Sequence, residues 1–153
     1  MRWLELRIPP PVVALVVGLT MWLAAQVVPS FGWPSPVRIA AALALAAVGL
    51  SFDVAGFVSF RRARTTLNPL RPARASSLVV TGIYRYTRNP MYVGGALLLL
   101  AWAAFLANAA ALALVPGFVL YLTRFQIIPE ERVLSGIFGA EYRAYCERVR
   151  RWL

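Results

Sequence analysis

The chain is predicted to be an all-α membrane protein with four transmembrane helices. The last two are joined as a tight C-terminal hairpin, and an amphipathic cytoplasmic tail helix follows. Three observations predict this. Of 153 residues, 60% are hydrophobic and only 14% charged, whereas a soluble domain is closer to half apolar and a quarter charged. The apolar residues gather into nearly uncharged runs long enough to cross a bilayer, which takes about 17–25 residues. Most arginines lie between those runs, at their ends.

The first segment, about 12–28, is entered through Pro9-Pro10-Pro11 and left at Pro29. The second covers about 37–60, the third about 90–107 and the fourth about 109–128. Each can span at a rise of ~1.5 Å per residue, the first and third only just. Pro116-Gly117 lies inside the fourth, where a kink is expected. The link around Asn108 is so short that segments three and four must form an antiparallel hairpin. That brings the central loop, about 61–88, and the tail to one side. In the tail Leu134, Phe138, Tyr142, Tyr145, Val149 and Trp152 recur every three or four residues, the spacing of an amphipathic helix, with a break expected at Gly139. Such a helix can lie along the membrane surface or fold over the central loop.

Charge sets the orientation. Arg2 and Arg7 precede the first segment, Arg38 stands alone before the second, and Arg61, Arg62, Arg64, Arg71, Arg74, Arg85 and Arg88 crowd the central loop. Five more, Arg132, Arg143, Arg148, Arg150 and Arg151, follow the fourth segment. The bias of positive charge toward cytoplasmic loops places both termini and the central loop in the cytoplasm. A net charge of +10 would suggest nucleic acid in a soluble protein; at the ends of membrane segments it reads as topology, and no nucleic-acid partner is expected. All 16 basic residues are Arg, a bias that suggests a GC-rich bacterial genome and hence a bacterial cytoplasmic membrane. The N-terminus has no small-residue cleavage site after its apolar run and is not read as a signal peptide. Cys146 is alone, so no internal disulfide forms, and the absence of histidine removes the commonest general base and metal ligand. No metal site is expected.

Polar residues near the membrane fall into three groups. In the first, Asn89-Pro90 reads as the N-cap and first position of segment three, with the asparagine accepting from orphan backbone N–H groups. Tyr84 and Tyr92 flank that cap, Gly94-Gly95 permits close approach, and a helix N-terminus attracts anionic groups. Arg88, just before the cap, either anchors the loop at the interface or pairs with a carboxylate such as Glu130. The second group is Arg124, Gln126, Glu130 and Glu131. Adjacent residues point about 100° apart on a helix, so one glutamate at most is expected to face a buried site. Arg124 and Gln126 can instead snorkel to the headgroups. The third is Asp53, an intramembrane carboxylate that is either functional or paired with an arginine of the central loop.

The stretches SLVVTGIYRYTRNPMYVGG and EERVLSGIFGAEYRAYCERVRRW, separated by a hairpin, resemble the isoprenylcysteine carboxyl methyltransferase and phospholipid methyltransferase family of membrane enzymes. The family's glycine–x–tyrosine falls on Gly82 and Tyr84. Its arginine–histidine–proline–x–tyrosine–x–glycine falls on Arg88, Asn89, Pro90, Tyr92 and Gly94. Its paired glutamates fall on Glu130 and Glu131, and its tail motif on Phe138, Gly139, Glu141 and Tyr142. The resemblance covers roughly residues 75–152 of what is read as one membrane-embedded methyltransferase domain, 1–153. It implies S-adenosylmethionine as methyl donor, with S-adenosylhomocysteine as product. The implied donor contacts are Ser76, Ser77, Leu78, Val79, Gly82, Tyr84, Asn89, Pro90, Met91, Tyr92 and Glu130. Glu130, Arg124 and Gln126 are implied to position the methyl acceptor. Asparagine replaces the family's histidine at position 89 and cannot titrate, so hydrogen bonding rather than proton transfer is expected there. Gln126 stands where isoprenylcysteine enzymes carry an arginine for the substrate carboxylate. The expected acceptor is an isoprenoid- or lipid-linked carboxylate, amine or thiol arriving from the bilayer, with membrane lipids as the surroundings. The alternatives are a phospholipid amine acceptor or a non-enzymatic membrane binder that retains the fold.

Overall fold

A computed structural model describes residues 4–63 and 77–153. The chain is an all-α integral membrane protein. Its helices are α1 (Pro10–Val27), α2 (Ser35–Ala63), α3 (Pro90–Leu106), α4 (Ala109–Leu122) and α5 (Ile128–Arg148). A 3-10 turn, Gly82–Arg85, precedes α3, and a π-helical turn, Thr123–Ile127, joins α4 to α5. By length and composition, Pro10–Val27, Ser35–Ala63 and the continuous stretch Ala109–Arg148 can cross a membrane; Pro90–Leu106 is a shorter apolar helix.

Proline sets where α1 and α3 begin: each has one in its first turn, where the missing N–H costs nothing. At 29 residues α2 is about 43 Å long, more than the ~30 Å of hydrocarbon, so its Arg61-Arg62 end projects beyond the membrane. It packs along α3 through small residues. A Cβ on Gly49 would lie 3.0 Å from Gly94 O, and one on Gly56 would lie 2.8 Å from Met91 Cγ. Close backbone approach of this kind is how helices associate in lipid, where apolar burial offers little gain. Meanwhile α1 packs on α4 and α3, so α1 and α2 stand on either side of α3. Val13, Met21, Leu99, Ala103, Ala111, Val115, Phe118 and Leu122 form the core where α1, α3 and α4 meet.

The hairpin between α3 and α4 turns through Ala107, which takes a left-handed conformation (φ 47°) and accepts a hydrogen bond from Phe31 N. Asn108 caps α4 by accepting from Ala111 N (3.1 Å), while its Nδ2 donates to Val28 O at 2.6 Å. One buried side chain thus fastens the hairpin to the end of α1.

At the other end α4 stays helical through Pro116-Gly117, and an irregular π-helical turn follows at 123–127. The tail then continues from α4 without a loop and changes direction at Gly139 (φ 51°, ψ −116°). Of its two expected placements, it folds over the described end of the central loop, residues 78–84. Tyr142, Tyr145 and Val149 cluster with Leu78, Val80, Leu134 and Phe138, and Tyr145 Oη donates to Tyr84 O at 2.7 Å.

Candidate active site

Folding the tail over residues 77–92 encloses a cavity of about 1090 Å³. Its polar end is walled by Ser77, Tyr84, Arg88, Asn89, Tyr92, Glu130, Glu131, Tyr142 and Tyr145. From there it runs as an apolar trench beside α1, past Leu15, Leu19, Trp22, Leu99, Trp102 and Phe118. Trp102 Nε1 donates to Gly18 O at 3.0 Å and ties the trench wall to α1. Leu15 and Leu19 also face outward, 73% and 58% exposed, so the trench reaches the lipid-facing surface between α1 and α2.

Glu130 is the centre of the polar end. Its Oε1 accepts from Tyr92 Oη (2.6 Å) and from Gln126 Nε2 (2.7 Å). The π-helical turn explains this grip. One extra residue per turn rotates Gln126 inward, where it is 2% exposed, and leaves Arg124 pointing out. Arg124 is therefore away from the cavity and pairs with Glu5 at 3.0 Å. Arg124, singled out with Glu130 and Gln126 for positioning the acceptor, does not line this cavity. Gln126 reaches the site through Glu130 and does not line the cavity itself.

Glu131 also lines the cavity, although one glutamate of the pair at most was expected to face it. Its carboxylate is held by Arg88 Nη1 (3.2 Å) and by both ends of the Arg151 guanidinium (2.9 and 2.8 Å). Such a two-point fork fixes orientation as well as charge. Arg88 accordingly pairs with Glu131 and not Glu130, and its Nη1 also meets Cys146 Sγ.

Asn89 occupies the N-cap position of α3, but its side chain makes no capping bond. Its Nδ2 donates instead to Arg151 O at 2.9 Å, and Thr87 Oγ1 accepts from Asn89 N. Arg88 N donates to Arg150 O at 3.0 Å. The expected cap is thus a strap between the loop and residues 150–151. Tyr84 packs edge-on against Phe60 (5.4 Å). Burial, with Tyr145 and Glu130 nearby, pushes its phenol well above the ordinary range, so it stays neutral.

Of the other residues singled out from sequence, Ser77, Leu78, Val79 and Met91 line the cavity. Gly82 and Pro90 do not. Gly82 has φ 63° and sits where a Cβ would come 2.8 Å from Ser59 Oγ, so it serves close packing of the turn on α2. Pro90 is buried at the start of α3. Ser76 lies outside the described residues. Sequence reasoning did not assign Trp22 and Trp102 to the trench or Tyr142 and Tyr145 to the site. The available signals were that both tyrosines lie on the apolar face of the tail and that Tyr142 falls in the tail motif. Among the described residues no group of Cys, Asp or Glu is placed to hold a metal ion.

The fold and site define an all-α membrane protein whose polar cavity opens into an apolar trench. The model of the phospholipid methyltransferase family matches residues 37–141, and the chain belongs to this family of membrane methyltransferases. The match begins earlier than the motifs near residue 75 and takes in nearly all of α2. An uncharacterized protein of Haemophilus influenzae strain Rd is 48% identical over 63 residues, 41% of this chain and 100% of that protein. No solved structure matches the chain.

Proposed function

We propose that the chain transfers a methyl group from S-adenosylmethionine to a lipophilic acceptor that reaches the site sideways from the bilayer. The observation that carries this reading is the single cavity joining the polar end at Glu130 to the apolar trench at Trp102. Ligand pockets hold about 300–1,000 Å³, so this cavity has room for a donor and part of a second molecule.

The donor supplies an electrophilic methyl on a cationic sulfur, together with an ammonium, a carboxylate and an adenine. The residues present fit those groups. Glu130, oriented by Tyr92 and Gln126, offers an anion to the cationic end or acceptors to the ribose hydroxyls. The faces of Tyr84, Tyr142 and Tyr145 suit a sulfonium or an aromatic base. Ser77, Leu78, Val79, Asn89 and Met91 complete the wall. Asn89 is tied to Arg151 O, so it holds the wall's shape and carries no proton. The tail covers the reacting groups and excludes water, and positioning supplies much of the acceleration in a displacement of this kind.

The arginine-rich end, with this site and both termini, is assigned to the cytoplasmic side of a bacterial cytoplasmic membrane, where the donor is made. Residues 1–153 act as one domain, with the donor half at 75–152. The test is calorimetry of the detergent-purified protein with S-adenosylhomocysteine, followed by incubation with labelled donor and membrane lipids. Binding is expected, and Glu130→Ala is expected to weaken it at least tenfold. A folded protein that gives no heat, or a Glu130→Ala variant of full affinity, would refute the donor placement.

A further inference from the structure

Four charged residues line the cavity among the described residues: Asp53, Arg88, Glu130 and Glu131. Three already have partners. Arg88 holds Glu131, which Arg151 holds as well, and Glu130 takes two hydrogen bonds from Tyr92 and Gln126. Asp53 is different. It is half-buried in the middle of α2 and makes no hydrogen bond or ion pair with a described residue.

Its position is nonetheless closely built. Asp53 lies against Gly94, one turn into α3, where a Cβ would lie 2.7 Å from the Asp53 Cγ and collide with Oδ1. Gly49 and Gly56, one turn to either side on α2, let the two helices close around it. Any side chain at 94 would displace the carboxylate. An ionisable group with no partner in a membrane helix is costly, and lining an accessible cavity gives it a ligand to meet. Asp53 stands on α2 and Glu130 on α5, so the two carboxylates enter the cavity wall from different helices.

Resting on the methyl-transfer reading above, we infer that Asp53 is the acceptor-side residue of this site. It binds the acceptor's head group as a protonated amine and takes its proton. Three lining carboxylates face one lining guanidinium, and that guanidinium pairs through Nη1 with Glu131, so the charge of the described wall favours an ammonium over a carboxylate. Before methyl transfer one N–H proton passes to the Asp53 carboxylate and frees the nitrogen lone pair. As the N–C bond forms, the C–S bond of the donor breaks onto sulfur. The positive charge moves from sulfur to nitrogen, and the proton on Asp53 returns to water.

Trp22 and Trp102 line the trench, so intrinsic fluorescence can report acceptor binding with no donor present. The probes are dodecylamine and dodecanoate in a neutral detergent at pH 7. The wild-type protein is expected to bind the amine at least tenfold more tightly. The isosteric Asp53→Asn is expected to lose at least tenfold in amine affinity, bringing both probes within about twofold, while S-adenosylhomocysteine affinity stays unchanged. Should that variant fail to fold, Asp53→Ser, smaller at the glycine face, is expected to show the same loss. A preference for dodecanoate in the wild type, or an undiminished amine preference in the variant, overturns the assignment. A wild-type protein that fails to bind S-adenosylhomocysteine yet shows the Asp53-dependent amine preference refutes the donor reading and leaves the amine site standing.

Discussion

Tyr92 donates to Glu130 from α3, and Gln126 donates to the same oxygen from the π-helical turn. Two neutral donors converging on one carboxylate oxygen hold it in one orientation without neutralising it, as an arginine would. Burial pushes the Glu130 carboxyl up to about 7, and under the proposed donor placement a cationic ligand would favour its ionised form. A hydrogen bond to a charged group is worth about 1.5–3 kcal/mol. Tyr92→Phe, which removes only the hydroxyl, is therefore expected to weaken S-adenosylhomocysteine binding about tenfold, read by calorimetry. A purely architectural Tyr92 would lower the melting temperature and leave that affinity intact. At this scale the sequence was readable in part. Glu130, Tyr84 and Tyr92 carried recognisable chemistry, and the structure brings all three to one cavity. Which way a side chain turns was less readable. Asn89 was expected to accept from its own helix, but the nearby carbonyl of Arg151 takes its Nδ2 instead. That partner lies 62 residues away, and no local pattern announces it.

At the scale of elements, the contact between α2 and α3 depends on missing side chains. Gly49, Gly56 and Gly94 allow the backbones to close to a distance at which one added methyl has nowhere to go. Gly94→Ala is expected to destabilise the protein by about 1–3 kcal/mol, the usual cost of overpacking, and to force Asp53 off its seat. A lowered melting temperature in detergent checks the first expectation. Loss of the dodecylamine preference checks the second. Gly94-Gly95 had suggested close approach from sequence, but not that the partner would be Asp53, since helix facing is set by packing and not by periodicity in helices that are apolar all round. The irregular turn at 123–127 was not readable for a different reason: a π-helical turn has no residue signature. The hairpin was readable because a two-residue link leaves no other geometry.

Taken whole, the molecule is a membrane bundle whose soluble parts are fastened by charge. Glu5 bridges Arg124 and Arg132 at 3.0 Å each, and Leu6 N donates to Phe125 O. The two guanidiniums hold the Glu5 carboxyl below its ordinary range. A depressed carboxyl contributes stability that is present in full above its unfolded value and lost as pH falls through its folded one. The N-terminal segment is thus expected to detach from the π-helical turn only in acid, below the usual glutamate range. Hydrogen exchange at Leu6 across pH 3–7 checks this: protection should fall at the acid end and be absent throughout in Glu5→Gln. These ties join residues more than a hundred positions apart, which is why the charge pattern along the chain pointed to topology and not to pairing.

The strap from residues 87–89 to 150–151 has a consequence for how the protein is made. Thr87, Arg88 and Asn89 hand their hydrogen bonds to the carbonyls of Arg150 and Arg151, and Trp152 reaches Thr123. A nascent chain can insert its apolar helices before residues 150–152 leave the ribosome. Membrane integration and completion of the cavity wall are then separate events in time, the second waiting on a few residues that follow every span.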